Sequence, residues 1–150
     1  MPANTSPIFS LTPHVSSVTI TQTSANVKSS GAGTIGTDIF LAFQAGTQGS
    51  FIQKVRFNTV AAAAAVTGVA TTLRVFWSTV GSSTTAATNT FLLGEVSVPA
   101  IASAHSTNAT SYYDLILNFP IQSGTYIHVS QHVAQTANQN WIATVFGGDY

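Results

Sequence analysis

The stretch Ser50-Phe51-Ile52-Gln53-Lys54-Val55-Arg56-Phe57-Asn58-Thr59 decides how the chain is read. Phe51, Val55 and Phe57 fall on one face and Lys54 and Arg56 on the other, a period of two that belongs to a strand with one dry side. The pattern returns at Thr71-Thr72-Leu73-Arg74-Val75-Phe76-Trp77, where Leu73, Val75 and Trp77 alternate with Thr72 and Arg74. Phe76 breaks it, and is expected to point outward. In 112–119, Tyr113, Leu115, Leu117 and Phe119 oppose Asp114, Ile116 and Asn118, so Ile116 is a second apolar side chain expected outside.

Working outward, the same criterion gives about eight strands, a number typical of two-sheet architectures. They are 18–23, 37–44, 50–59, 71–79, 90–98, 112–119, 125–133 and 141–146. The connections are rich in Gly, Ser, Thr and Ala, as at 29–36, 46–49 and 81–89, which suits turns. The alanine run 61–65 is followed at once by Thr67-Gly68 and is too short for a stable helix, so a loop or a single turn is expected. No repeat with a propeller or solenoid period is visible. The expected fold is all-β, a single antiparallel β-sandwich with jelly-roll-like connections. Residues 17–150 form that domain, and 1–16, with Pro2, Pro7 and Pro13, are expected to be an extended arm.

Only 5% of the 150 residues are charged, four basic and four acidic, against 45% hydrophobic and 10% aromatic. An ordinary globular chain carries about 25% charged residues. Polarity comes instead from Thr and Ser, which fill 39 positions. Lys28, Lys54, Arg56 and Arg74 are too few for the basic footprint that phosphate binding needs, which disfavours nucleic acid as a partner. High hydrophobicity with zero net charge disfavours disorder. With no cysteine there is neither a disulfide nor a thiolate metal site. Residues 1–14 lack the basic and apolar regions of a secretory signal, and the longest apolar run, 60–66, is far shorter than the roughly 20 residues of a spanning helix. Cytoplasmic synthesis and no membrane partner are expected.

The histidines are the obvious candidates for metal chemistry. His128 and His132 would share an ion on a helix, but four residues of strand cover about 13 Å. They are therefore read as a surface or subunit-interface pair, with no metal and no cofactor. His14 and His105 have no carboxylate nearby in sequence, and Asp38, Glu95, Asp114 and Asp149 form no recognisable acid pair. Gly31-Ala32-Gly33-Thr34-Ile35-Gly36 spells G-x-G-x-x-G, but no helix opens from it as a dinucleotide site requires. Asn4-Thr5-Ser6 and Asn108-Ala109-Thr110 fit the glycosylation pattern without a secretory context. Trp77 and Trp141 suit a sugar-stacking platform, but alternation places Trp77 with the core.

A small domain with so little charge lacks the repulsion that keeps proteins apart, and association is expected. Phe76, Ile116, His128 and His132 are the candidate interface residues, with Thr- and Ser-rich faces hydrogen-bonding across a wet contact.

Several segments add a family likeness: Asn4-Thr5-Ser6-Pro7-Ile8-Phe9, Gly36-Thr37-Asp38-Ile39-Phe40, Gly49-Ser50-Phe51-Ile52-Gln53-Lys54-Val55-Arg56-Phe57, Asn89-Thr90-Phe91-Leu92-Leu93-Gly94-Glu95-Val96-Ser97-Val98-Pro99-Ala100 and Gly147-Gly148-Asp149-Tyr150. Their succession resembles small virion structural proteins of tailed bacteriophages, the capsid decoration, cement or head-associated proteins. The stretch 61–70 and the two late histidines depart from that pattern. The resemblance implies a non-enzymatic protein with no catalytic residues. Together with the surface, it leads to the expectation of a homo-oligomer, as a trimer, that binds the major capsid protein on the outside of the head and stabilises the shell. A tail or head-fibre module binding a host surface glycan is the alternative, and a cupin-like metal enzyme the third reading.

Overall fold

The computed structural model describes residues 10–61, 67–101 and 112–150. They form ten strands: β1 (Thr12–Ile20), β2 (Gly33–Thr34), β3 (Phe40–Gln44), β4 (Ser50–Ala61), β5 (Thr71–Ser78), β6 (Thr84–Thr85), β7 (Thr90–Val98), β8 (Tyr112–Ile121), β9 (Tyr126–Gln131) and β10 (Gln139–Asp149). All eight expected strands are present, and β2 and β6 are additional. Among the described residues no helix is long and apolar enough to cross a membrane. The alanine run from 62, His105, both glycosylation-like triplets and the first nine residues of the expected arm lie outside the described residues.

Two four-stranded antiparallel sheets, β1-β10-β4-β8 and β3-β9-β5-β7, face each other, and β2 pairs with β6 in a separate ribbon. Of the connections between successive long strands, only that from β5 to β7 stays within one sheet; every other crosses to the opposite sheet. This interleaving is the jelly-roll connection of two Greek keys.

Alternation works as expected between the sheets. Val55, Phe57, Leu73, Val75, Ile127, Val129, Trp141, Ala143 and Val145 are buried there, and Trp77, Tyr113, Leu115, Leu117 and Phe119 pack around them, partly buried. Each large side chain so buried contributes about 1.5–3 kcal/mol of transfer free energy.

Two expectations need correction. Residues 12–16, assigned to the arm, belong to β1 and pair with β10 from Thr12 opposite Asp149 to Ser16 opposite Val145. Pro13 is tolerated because β1 is an edge strand, where its missing N–H need not complete a ladder. Phe51 does not enter the core; Ile52 does, because the β4–β8 register shifts by one residue between Ile52 and Lys54. A bulge of this kind transfers the remaining residues of a strand to the other face.

Candidate interaction surface

The outer faces of the two sheets are built differently. Outward from β3-β9-β5-β7 point Arg74 and Phe76 of β5, His128 and Ser130 of β9 and Glu95 of β7, with Arg74 opposite Ser130 and Glu95, and Phe76 opposite His128. This face is covered. Residues 21–39 fold back over it, tied to the ribbon β2–β6 and to the 79–89 connection. Thr85 Oγ1 donates to the Gly31 carbonyl and Ile35 N–H to the Ser83 carbonyl. Gly31, at φ +72°, lies so close that an added Cβ would stand 2.6 Å from Thr90 Cγ2 and 3.0 Å from Phe76 Cδ1. The first glycine of the G-x-G-x-x-G stretch thus serves close packing of a loop, not a phosphate.

The consequence corrects the interface assignment. Phe76 and His128 are both 0% exposed, so neither meets a partner in the closed molecule. His128 Nε2 donates to the Val80 carbonyl at 2.7 Å, and burial lowers its affinity for a proton below that of an ordinary histidine. His132, following β9, is half-buried, with Nδ1 3.0 Å from Arg74 Nη2. Both histidines have partners of their own, and neither is aligned with the other on a common ion. Among the described residues no group of three His, Cys, Asp or Glu side chains is placed to hold a metal.

Among the described residues, nothing covers the outer face of β1-β10-β4-β8. Cross-strand register lines its side chains into rows: Val15, Phe146, Lys54 and Ile116; Ser17, Thr144, Arg56 and Asp114; Thr19, Ile142, Asn58 and Tyr112. Ile116 is 59% exposed, as its place in the alternation implied, and Val15 and Tyr112 are similarly open. At the centre Asp114 accepts from Arg56 through both oxygens, at 2.7 and 2.8 Å, and from Lys54 at 2.9 Å. The Arg56 hydrogen bonds, helped by Lys54, outweigh desolvation and hold the Asp114 carboxyl down at about 2. Arg56 Cζ also sits 4.2 Å from the Tyr112 ring centre, and Lys54 Nζ 5.2 Å from that of Phe146.

The cluster therefore presents flat aromatic and guanidinium surface with most of its charge internally paired. Arg, Tyr and Phe surrounded by aliphatic groups and Thr are the side chains that dominate buried interface centres. Sequence reading found Ile116, Lys54 and Arg56 on this face but missed Tyr112, Ile142 and Phe146. Their signal was present: Trp141-Ile142-Ala143-Thr144-Val145-Phe146 is apolar at both parities, as a strand with two contact faces must be.

At the β7–β8 side a shallow cleft of about 400 Å³ is lined by Trp77, Phe91, Leu93, Phe119, Pro120 and Gln122. Trp77 and Phe91 stack there with ring centres 5.7 Å apart. At the opposite side His14 bonds Asp149 at 3.0 Å and lies 4.2 Å from the Phe43 ring. This pair joins β1 to the end of β10, and Ser50 Oγ donates to the same carboxylate at 2.5 Å.

No protein-family model matches the chain, and no curated protein sequence matches it. Among solved structures it is similar to dimeric latent PorU from Porphyromonas gingivalis, at 14% identity and a TM-score of 0.37, over 97% of this chain. The chain spans 14% of the length of that protein.

Proposed function

We propose that this chain is a non-enzymatic virion structural protein of a bacteriophage, a capsid decoration or cement protein that assembles as a homotrimer and bridges major capsid proteins on the outside of the head. The observation that carries this reading is the outer face of β1-β10-β4-β8, uncovered among the described residues, where Val15, Ile116 and Tyr112 surround an ion cluster in which Asp114 balances one of the two cations, Lys54 and Arg56. Burial of such a face is driven by its apolar area, and the one positive charge that Asp114 leaves unbalanced calls for a carboxylate or polar groups on the partner. Burial of apolar area at joints between capsid proteins would then oppose separation of the shell under internal pressure. The succession of sequence segments that resembles phage head proteins supplies the virion context.

Incubating the purified protein with expanded, undecorated shells, followed by co-sedimentation and imaging, tests this. Saturable binding at a fixed ratio on the head is expected, weakening only slightly from low to moderate salt because few charges take part. Decoration of the tail tip, or binding to host cells and not to shells, would instead support a glycan-binding fibre module, for which the Trp77–Phe91 stack in the open cleft offers an aromatic surface.

A further inference from the structure

We propose that the cover over the β3-β9-β5-β7 sheet is an acid-released latch, in which neutral His128 holds one half of the cover closed and frees it on taking up a proton, while the contact of Arg74 with His132 anchors the other half. The proposal is independent of the virion reading and rests on hydrogen-bond chemistry at two points.

The first point is Arg74. A guanidinium has only donors, so the 3.0 Å contact between Arg74 Nη2 and His132 Nδ1 makes that nitrogen the acceptor. His132 is thereby fixed as the neutral tautomer with its proton on Nε2. The same guanidinium donates through Nη1 to the Asn26 carbonyl and through Nε to Glu95, both at 2.9 Å. Asn26 belongs to residues 21–39, and its own N–H donates to the Gln131 carbonyl at 2.8 Å. Arg74 thus ties His132, residues 21–39 and Glu95 together at the anchor of that segment.

The second point is Val80, which opens the 79–89 connection carrying β6. His128 holds it through the Nε2–H donation to its carbonyl, and His128 Nδ1 is buried with no hydrogen-bond partner. Desolvation there outweighs the pull of the Val80 and Phe40 backbone toward the charged form, so a charged imidazole is disfavoured while the cover is closed. Burial accordingly shifts His128 titration below the ordinary value of 6.5. The native state thus binds fewer protons at this site than an opened one, so the closed form is fully favoured above about pH 6.5 and loses ground as the pH falls.

The other charged groups do not reverse that sign. On the cover the described titratable side chains are Lys28 and Asp38, and Asp38 accepts from Thr34 N–H inside its own turn. From the sheet come Arg74, Glu95 and Tyr126. The carboxylates of Asp38 and Glu95 are the described groups on cover and sheet that would favour a charged histidine, and each is engaged, Asp38 with Thr34 N–H and Glu95 with Arg74. Opening exposes Phe76 and gives the second sheet an apolar outer face that the closed molecule lacks.

Native-state hydrogen exchange of the intact chain, from about pH 7.5 to about pH 5 and corrected for intrinsic rates, tests the latch, alongside imidazole nitrogen NMR. The expected result is that opening of amides in 79–89 rises by about tenfold per pH unit for the proton taken up, while amides of β4 and β10 stay protected. His128→Gln, whose side-chain amide can still donate to the Val80 carbonyl but does not titrate, should remove that slope, and Glu95→Gln should leave it in place. Cover exchange that ignores pH, or that rises equally in both sheets, overturns the proposal. If a variant does not fold, the wild-type spectrum still decides: a charged His128 imidazole at neutral pH excludes the latch.

Discussion

On one sheet Ile116 stands 59% exposed, and on the other Phe76 is wholly buried, although each is the apolar exception among the outward residues of its strand. What separates them is the chain that lies above. Residues 21–39, with the β2–β6 ribbon, fold back over Phe76, Arg74 and His128, while nothing among the described residues covers Ile116, Tyr112 and Val15. On the covered face Arg74 and the His128 Nε2–H are taken up by internal hydrogen bonds, while His128 Nδ1 and Ser130 Oγ have none; the bare face pairs its charges with one another. A jelly roll offers two outer faces, and here one works as a second core while the other is left uncovered by the described residues.

The comparison breaks most visibly if Phe76→Ala is placed beside Ile116→Ala. Truncating a fully enclosed Phe leaves a cavity between sheet and cover, with an expected loss of about 3–5 kcal/mol in denaturant unfolding. A Phe76→Ala cost no greater than that of a surface residue would mean that the cover does not pack as described. Next in size is Gly31→Ala. Its φ of +72° and the 2.6 Å approach to Thr90 Cγ2 make a side chain strained at this position, at an expected cost of about 1–3 kcal/mol. Hydrogen exchange should locate that loss in 21–39 before it reaches β4.

Much of this contrast was hidden in the sequence for a physical reason. Alternation is a local signal, and it placed Val55, Phe57, Leu73 and Val75 correctly because their burial depends on the strand they occupy. It failed at Phe51 because a one-residue bulge reverses parity without leaving a periodic trace. At Phe76 and His128 the direction was right and the burial wrong: whether an outward residue meets water depends on a segment some forty or more positions away in the chain. The bare face was half legible. Lys54, Arg56 and Ile116 announced it, but Phe146 and Tyr112 join them only through the registers of β10 and β8 against β4.

The bare face should have its own, smaller acid response, opposite in origin to that of His128. Asp114 is held at about 2, below its ordinary value of 3.8, by Arg56 and Lys54. A depressed carboxylate contributes stability that is complete above the unfolded value and is lost as the pH falls toward 2. Since the cluster lies at the surface, screening keeps the effect near about 1 kcal/mol. Asp114→Asn should remove it, flattening the stability profile between about pH 4 and pH 2 relative to wild type. An unchanged profile would show that the ion cluster is too well solvated to matter for folding.

The smallest effect on folding, and the sharpest on association, belongs to Ile116→Ala. The side chain is mostly in water in the isolated chain, so its loss should change unfolding by no more than about 0.5 kcal/mol. If the bare face is where copies or capsid proteins meet, the same truncation removes an aliphatic group beside the Lys54–Asp114 pair at the centre of the contact. Central truncations of this kind cost about 1–2 kcal/mol or more, equivalent to about a tenfold loss of affinity. Light scattering reads association and denaturant unfolding reads folding: wild type should show a mass that is a multiple of the 15.6 kDa chain, and Ile116→Ala should dissociate at higher concentration while its unfolding changes little. An association constant unmoved by Ile116→Ala, and by Tyr112→Ala beside it, would place the contact elsewhere. The cleft lined by Trp77 and Phe91 would then be the next face to probe.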